Sequence, residues 1–379
     1  MSCQRNAGAV RRHSKLMAFG NWLQALPHRL TPAPFRLIQM GSAFWQSRVL
    51  CVAAQLDVAT VLGDASMDTD DLARQLGVQP DPLYRLLRML AAMGVFHEDR
   101  PHRFSNNRLS APLRTDHPQC VRDMVLMHNS PEMATPWFQA LAQGVRTGEV
   151  PFEVSHGQDL YGYMSQHPSF DALFARAMDS VEALTGPHFA TDFDWSRFDR
   201  VIDVGGSRGS KAQAILRHHP HMQAVVFDRP SVVTAAQADW QVQAPPQLAQ
   251  RLRFLAGDLM DGVPAAQSSG DIYLLSAVLH GMGDDDAVRV LRHVASACSG
   301  TGAAVAVMEL VVPEHRADYA SAAFDMQMFM GTQGRERTLA QWRSLATRAG
   351  LVLQEVVGLQ SLGSILLLRP AVAVEGALP

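Results

Sequence analysis

The sequence predicts an α/β protein whose second half is a mostly parallel seven-stranded sheet, preceded by a helical domain with a winged-helix outline. Three observations predict it. From about residue 43 to 183 the chain reads as almost all helix. From 200 to 368 short apolar runs alternate with amphipathic helical patterns, the signature of parallel strands joined by crossover helices. Between the first such strand and its helix lies a glycine-rich turn, D-V-G-G-S-R-G at 203–209.

The bulk composition is compatible with two domains. The chain has 379 residues, 47% of them apolar and 18% charged, with a net charge of −3. That balance supplies no basic field for nucleic acid. No apolar run approaches the roughly 20 residues of a membrane span. The cysteines Cys3, Cys51, Cys120 and Cys298 are scattered without a C-x-x-C pair, which argues against a zinc site or a disulfide framework and for a reducing cytoplasm. No acidic residue precedes Asp57, whereas Arg5, Arg11, Arg12, Lys15, Arg29, Arg36 and Arg48 do. Residues 1–34 are therefore expected to form a disordered basic extension. The helical domain is expected at 35–185, the α/β domain at 186–372 and a tail at 373–379.

Within the first half, Thr69 is expected to cap a helix that Gly77 stops. Asp81 would cap the next, with Pro82 at its first position. Leu83, Leu86, Leu87 and Leu90 fall on one face of that helix. Val95-Phe96 and Arg103-Phe104 would flank a short hairpin. The outline is that of a DNA-reading module, but the recognition helix carries only Arg85 and Arg88 beside Asp68, Asp70, Asp71 and Asp81. Phosphate neutralisation dominates DNA affinity, so the surface argues against that role.

In the second half, strands are expected at 200–204, 224–227, 253–256, 272–276, 303–308, 352–357 and 365–368, with a helix over 210–218. Asp284, Asp285 and Asp286 suit the positive N-terminal end of another helix, whose core stripe is Ala287, Val290, Leu291, Val294 and Ala295. Thr338-x-x-Gln341 forms a capping box ahead of a helix carrying Leu339, Trp342, Leu345 and Ala346.

The chemistry gathers at the carboxyl ends of these strands, where open α/β sheets bind ligands. Gly205, Gly206 and Gly209 permit a tight strand-to-helix turn and close approach of a ligand. Asp228 ends the second strand, where a carboxylate can accept both hydroxyls of a ribose. Asp258 ends the third. Taken singly, each could be an ordinary turn residue; their joint spacing points to a nucleotide-like cofactor.

The blocks V-I-D-V-G-G-S-R-G, V-V-F-D-R-P-S-V-V, A-G-D-L and L-L-S-A-V-L-H resemble the small-molecule O-methyltransferases of the caffeate/acetylserotonin type, whose bacterial members modify phenazines, carotenoids and polyketides. The likeness extends through M-E-L-V-V-P-E and Q-G-R-E-R-T, and back to L-L-R-M-L-A-A-M-G-V-F and F-E-V-S-H-G-Q-D-L-Y. It covers roughly residues 44 to 368. The resemblance implies a Rossmann-like class I fold, S-adenosyl-L-methionine as cofactor and a homodimer formed through the winged-helix domain. It implies that Gly205, Gly206 and Gly209 hold the methionine portion, Asp228 the ribose, and Asp258 with Leu259 the adenine. Ser276, also expected on the cofactor side, stands where plant members have a lysine. His280 falls at the catalytic base, flanked by Glu309 and Glu336, and no metal is implied.

The implied acceptor is a small aromatic or polyene metabolite. Met127, His128, Met178, Met326 and Met330 stand on helices that line the acceptor pocket in the family, although helical core packing more often explains any one methionine, and a lone histidine such as His128 is more often structural. The chain departs from the family in having His280-Gly281-Met282 for H-D-W, Ser207 for a third glycine, and Arg229 in place of leucine in F-D-L-P. Those departures leave N-methyl transfer, or cofactor-dependent chemistry without methylation, as alternatives to O-methyl transfer.

Overall fold

A computed structural model describes residues 2–243, 245–361 and 363–371. The tail expected at 373–379 lies outside the described residues. The chain divides into two compact units, one of residues 19–184 and the other of residues up to 18 together with 185 onward.

The second unit is built on a seven-stranded sheet. Its strands are β1 (Arg200–Val204), β2 (Gln223–Asp228), β3 (Leu252–Ala256), β4 (Asp271–Ser276), β5 (Ala304–Glu309), β6 (Leu351–Gly358) and β7 (Ser364–Pro370). They lie in the order β6-β7-β5-β4-β1-β2-β3. β1 to β5 are parallel, and β7 runs antiparallel to both β5 and β6. Every strand was expected within one or two residues. The antiparallel strand is the reason the sheet is only mostly parallel.

Both faces of the sheet are covered, as a parallel sheet requires. Val201, Ala224, Val226, Ile272, Leu274, Ala304 and Ala306 pack into one layer, with Ile215, Leu216 and Trp195. Ile202, Val204, Phe227, Tyr273, Leu275, Val305 and Val307 pack into the other, against Val290, Leu291, Val294, Trp342 and Leu345. Each such aliphatic side chain contributes about 1.5–3 kcal/mol on burial. The expected stripe of helix Asp284–Ala297 is the one that packs here, and the capping box is formed in full by Thr338 and Gln341.

The register aligns the strand ends. Val204 lies opposite Phe227 and Leu275, Asp228 opposite Ala256, and Ser276 opposite Met308. At the opposite edge the Arg200 guanidinium grips Asp271 through two bonds of 3.0 and 2.5 Å, pinning β1 to β4. The carboxyl ends of β1, β2, β4 and β5 therefore present their following turns side by side.

The first residues are not a free extension. Cys3 is fully buried with Phe193 and Trp195, and its N–H donates to Glu355 at 2.7 Å. The N–H of Arg5 donates to the Asp192 carbonyl at 2.7 Å, and that of Asp194 to the Cys3 carbonyl at 2.9 Å. Helix Ala7–Leu30 follows. Buried Cys3, backbone bonds and polar side-chain bonds from Gln4, Arg5 and Asn6 hold this segment, so no periodic pattern announces it.

In residues 19–184 the winged-helix outline is present, with two differences. Helix Thr69–Leu76 does not use Thr69 as its cap; the Thr69 hydroxyl donates to the His102 carbonyl at 2.9 Å, tying the helix to the hairpin. The next helix, Pro80–Ala92, begins two residues earlier than expected, with Pro80 at its start and Asp81 paired to Arg85 at 3.0 Å. The hairpin Phe96–Arg100 and Arg103–Asn106 gains a third strand, Met67–Asp68. Leu62, Leu72, Leu83, Leu87, Leu90, Phe96 and Phe104 form its core.

Asp192 is buried, and its carboxylate accepts from Asn6 at 3.1 Å and from Gln360 at 2.8 and 2.9 Å. Asp192→Ala should therefore cost about 2–4 kcal/mol, since bonds to charged groups are worth about 1.5–3 kcal/mol each. Urea unfolding of the variant checks this; an unchanged midpoint would show that the N-terminal clasp adds nothing to stability.

Candidate active site

The turn after β1 is shaped by what its glycines leave out. Gly205 has φ +72, and a Cβ there would sit 2.7 Å from Val278. A Cβ on Gly206 would meet the Asp203 carboxyl carbon at 2.6 Å, and one on Gly209 (φ +73) would meet Val226 at 2.9 Å. The loop is thus packed against its own supports, with bare backbone on its outer side. Gly209 leads into helix Ser210–His218, whose first N–H groups face the loop end. Ser207, where the family has glycine, holds a left-handed φ of +50, at a cost of about 1 kcal/mol. Arg208 lies 3.4 Å from Asp239.

Asp228 faces this loop. One oxygen accepts the Ser207 N–H at 2.9 Å and the other accepts the Arg229 N–H at 2.7 Å. Each oxygen retains a second lone pair, a fit for the two hydroxyls of a ribose. Asp258 is exposed after β3 and accepts the Met260 N–H at 2.8 Å, while Leu259 packs against the core beside it. Gly257 lies directly over the Phe227 ring, with no room for a side chain. The bare loop, the half-occupied carboxylate and the adjoining turn fit an adenosine cofactor with an amino-acid tail. Ser276, partly buried, ends β4 next to them.

The turn after β4 carries His280. Ala277 takes φ +53 there, a conformation that costs a non-glycine residue about 1 kcal/mol. It turns the chain so that the N–H groups of Val278 and Leu279 converge on one oxygen of Glu309, at 3.0 and 2.9 Å. His280 follows on a single helical turn, Leu279–Gly281, with its side chain only 15% exposed. Its Nδ1 donates to Glu336 at 2.7 Å and lies 3.9 Å from Glu309. With the proton held on Nδ1, Nε2 of the neutral ring is left as an acceptor.

The electrostatics follow from burial. Enclosure disfavours the charged imidazole, but the Glu309 charge and then the bond and charge of Glu336 outweigh it, so the His280 pKa is raised. Burial pushes the Glu309 carboxyl up as well, with Glu336 adding to it and His280 pulling against it. Such a trio can take up one proton from a bound hydroxyl and hold it as an imidazolium between two acids.

The structure brings Gly205, Gly206, Gly209, Asp228 and Asp258 to neighbouring strand ends, and His280, Glu309 and Glu336 to one cluster. Of the expected acceptor-side residues, Met326 and Met330 lie on helix Tyr319–Gly331; Met326 is exposed and Met330 buried. In the helical unit, Met127 is enclosed with Met133, Phe152 and Phe170, Met178 packs against that group, and His128 is exposed.

Three participants were not singled out from sequence. Phe324 stacks near the His280 ring, with centroids 6.0 Å apart and planes at 28°. Asp325 accepts the Glu336 N–H at 2.8 Å. Arg337 is wholly buried behind the histidine turn. Its signal stood within Q-G-R-E-R-T, beside Glu336, and Asp325 and Phe324 stood in an apolar helix with one acid.

Comparison with known proteins extends this picture. A family model described as an O-methyltransferase domain matches residues 138–352, and an O-methyltransferase dimerisation domain matches 38–116. A phenazine O-methyltransferase of Lysobacter antibioticus is 33% identical over 88% of this chain and 95% of its own length. An 8-amino-8-demethylriboflavin N,N-dimethyltransferase of Streptomyces davaonensis is 30% identical over 89% of this chain and 95% of its own. The structure of an O-methyltransferase from neocarzinostatin biosynthesis, in complex with S-adenosylmethionine and 2-hydroxy-5-methyl naphthoic acid, has TM-score 0.72 and 29% identity, covering 86% of this chain and 96% of that one.

If Asp228 supplies the ribose contact, Asp228→Ala should raise the Kd for S-adenosylmethionine at least about tenfold, since a bond to a charged group is worth about 1.5–3 kcal/mol. Calorimetric titration measures it; a Kd within twofold of the parent would remove Asp228 from the cofactor site.

Proposed function

The chain belongs to the O-methyltransferase family, and from that premise we propose that it methylates a hydroxyl group on a small aromatic or polyene-type secondary metabolite, with His280 as the general base. That it is an S-adenosylmethionine-dependent methyltransferase follows from its two family domains and its relatives. The dimerisation domain makes its working form a homodimer. In keeping with that, Leu37, Ile38, Met40, Phe44 and Trp45 leave a large apolar surface uncovered on the single chain. Among the described residues no helix is long and apolar enough to cross a membrane. With its cysteines free, we place the enzyme in the reducing cytoplasm.

The observation that carries the reading is the 2.7 Å bond from His280 Nδ1 to Glu336. S-adenosylmethionine, when bound, supplies an activated sulfonium methyl. The loop at 205–209 and Asp228 hold it at the strand ends next to the histidine turn. A phenol, with a pKa of about 10, is a weak nucleophile at neutral pH. His280 Nε2 accepts its proton as the oxygen attacks, and Glu336 and Glu309 stabilise the imidazolium that forms. Phe324 offers a ring face beside the base, suited to a flat acceptor.

Relatives methylate at nitrogen as well as oxygen by name. The buried carboxylates behind His280 favour oxygen here. A neutral amine attacks through its own lone pair, whereas a hydroxyl gains most from a base whose affinity for protons has been raised.

Incubation with S-adenosylmethionine and a panel of hydroxylated phenazines and naphthoates should yield a methyl ether identified by mass spectrometry. His280→Ala should lower kcat about 10²- to 10⁴-fold. In the parent, kcat should rise with pH as His280 loses its proton, at an apparent pKa above the ordinary histidine value because the histidine's own is raised. Glu336→Gln removes one of the charges that raise it and should move that limb to lower pH. Full activity of His280→Ala on every hydroxylated acceptor that the parent methylates would sink the general-base assignment.

A further inference from the structure

We propose that Arg337 is a positioning residue for the reaction: its buried guanidinium aims the His280 turn and offsets the two carboxylates behind the base. The inference rests on His280 acting as the base, and nothing in the family-level reading assigns a role to Arg337.

The geometry comes first. Arg337 is 0% exposed, yet it forms no ion pair with Glu309 or Glu336 among the described residues. One of its terminal nitrogens donates to the Leu279 carbonyl at 2.8 Å; the other donates to the Met282 carbonyl at 2.7 Å. Those two residues bracket His280-Gly281. Nε and the second terminal nitrogen also donate to one oxygen of Asp284, at 3.0 and 2.8 Å. The fork thus closes the base-bearing turn on itself and fastens it to the start of helix Asp284–Ala297. The guanidinium carbon lies 5.3 Å from the centre of the Trp342 ring, which covers it. Gly334 completes the clamp, pressed so closely on the His280 carbonyl that no side chain fits.

The charge comes second. The charged groups that face His280 are Glu309 from β5, Glu336 and Arg337 from the segment after helix Tyr319–Gly331, Asp325 from that helix through the Glu336 backbone, and Asp284 through Arg337. Arg337 is the cation of the group. It lowers the proton affinity that the two glutamates raise. Removing that cation would leave the effect of the two acids on the base less opposed.

Position and charge are separable. Lysine keeps the charge but cannot make the forked set of bonds; glutamine loses the charge and keeps some donors. The direct test is a proton titration of His280 by NMR in the full chain, labelled with ¹⁵N-histidine and saturated with S-adenosylhomocysteine. The His280 signal, one of 15 histidines, is identified by its absence in His280→Gln.

In Arg337→Gln the His280 pKa should rise by roughly half a unit or more, and in Arg337→Lys it should stay close to the parent. The plateau kcat with a hydroxylated phenazine should fall at least about tenfold in both, with the Kd for S-adenosylhomocysteine unchanged. A His280 pKa that is the same in folded Arg337→Gln and parent overturns the proposal. Should Arg337→Gln not fold, Arg337→Lys decides, and an unchanged plateau kcat overturns it. If the NMR pKa moves while the pH limb of kcat does not, Arg337 tunes His280 but the assignment of His280 as base fails, and the role of Arg337 in the reaction is overturned with it.

Discussion

Two carboxylates, Glu309 and Glu336, are enclosed beside one imidazole, and the surrounding structure is organised by the cost of keeping them there. A buried charge without partners loses several kcal/mol of hydration. Glu309 is answered by two backbone N–H groups, and those groups converge only because Ala277 adopts a left-handed conformation at the end of β4. Glu336 is answered by His280 through one oxygen, and its backbone is held by Asp325. Local strain in one turn and the fixed aim of one histidine are consequences of the same requirement.

That arrangement depends on the sheet beneath it. Parallel strands in matched register end together, so the turns after β1, β2, β4 and β5 emerge along one edge. Val278 makes the link explicit. Its backbone serves Glu309, while its side chain fills the place a Cβ on Gly205 would need. The cofactor loop and the histidine turn are therefore packed on each other, and the glycine at 205 is required by a neighbour as much as by a ligand.

Much of this was legible in the sequence, for physical reasons. Strands buried on both faces must be apolar throughout, which is why the runs at 200–204 and 272–276 stood out. Glycines at strand ends are demanded by backbone geometry, and an acid at the next strand's end suits the ribose contact proposed for Asp228, so residue type and spacing go together. The capping box at Thr338 was readable because it is local. What escaped was contact between residues far apart. The Arg337 fork joins positions more than fifty residues away in sequence, and the acid it grips, Asp284, looked like an ordinary helix-start charge. Thr69 behaves likewise, since its hydroxyl goes to the hairpin rather than to its own helix. The docking of residues 2–6 rests on Cys3, backbone bonds and isolated polar contacts from Gln4, Arg5 and Asn6, which leave no period to detect.

Under the reading proposed above, His280 as base is a compromise between two demands. Proton affinity must be high enough to draw the proton from a hydroxyl, yet low enough that the imidazole is neutral when the acceptor arrives. Raising the pKa serves the first demand and works against the second. The two buried glutamates serve the first demand, and the cation behind the turn acts in the opposite direction. The same reasoning narrows the acceptor. A histidine, even with its affinity raised, is mismatched by many units to an aliphatic alcohol but by only a few to a phenolic hydroxyl with a pKa of about 10. Phe324, set face-on near the ring, favours the same kind of molecule on grounds of shape. If His280 is the base, proton chemistry and packing favour the same proposed acceptor, a hydroxyl carried by a flat aromatic ring.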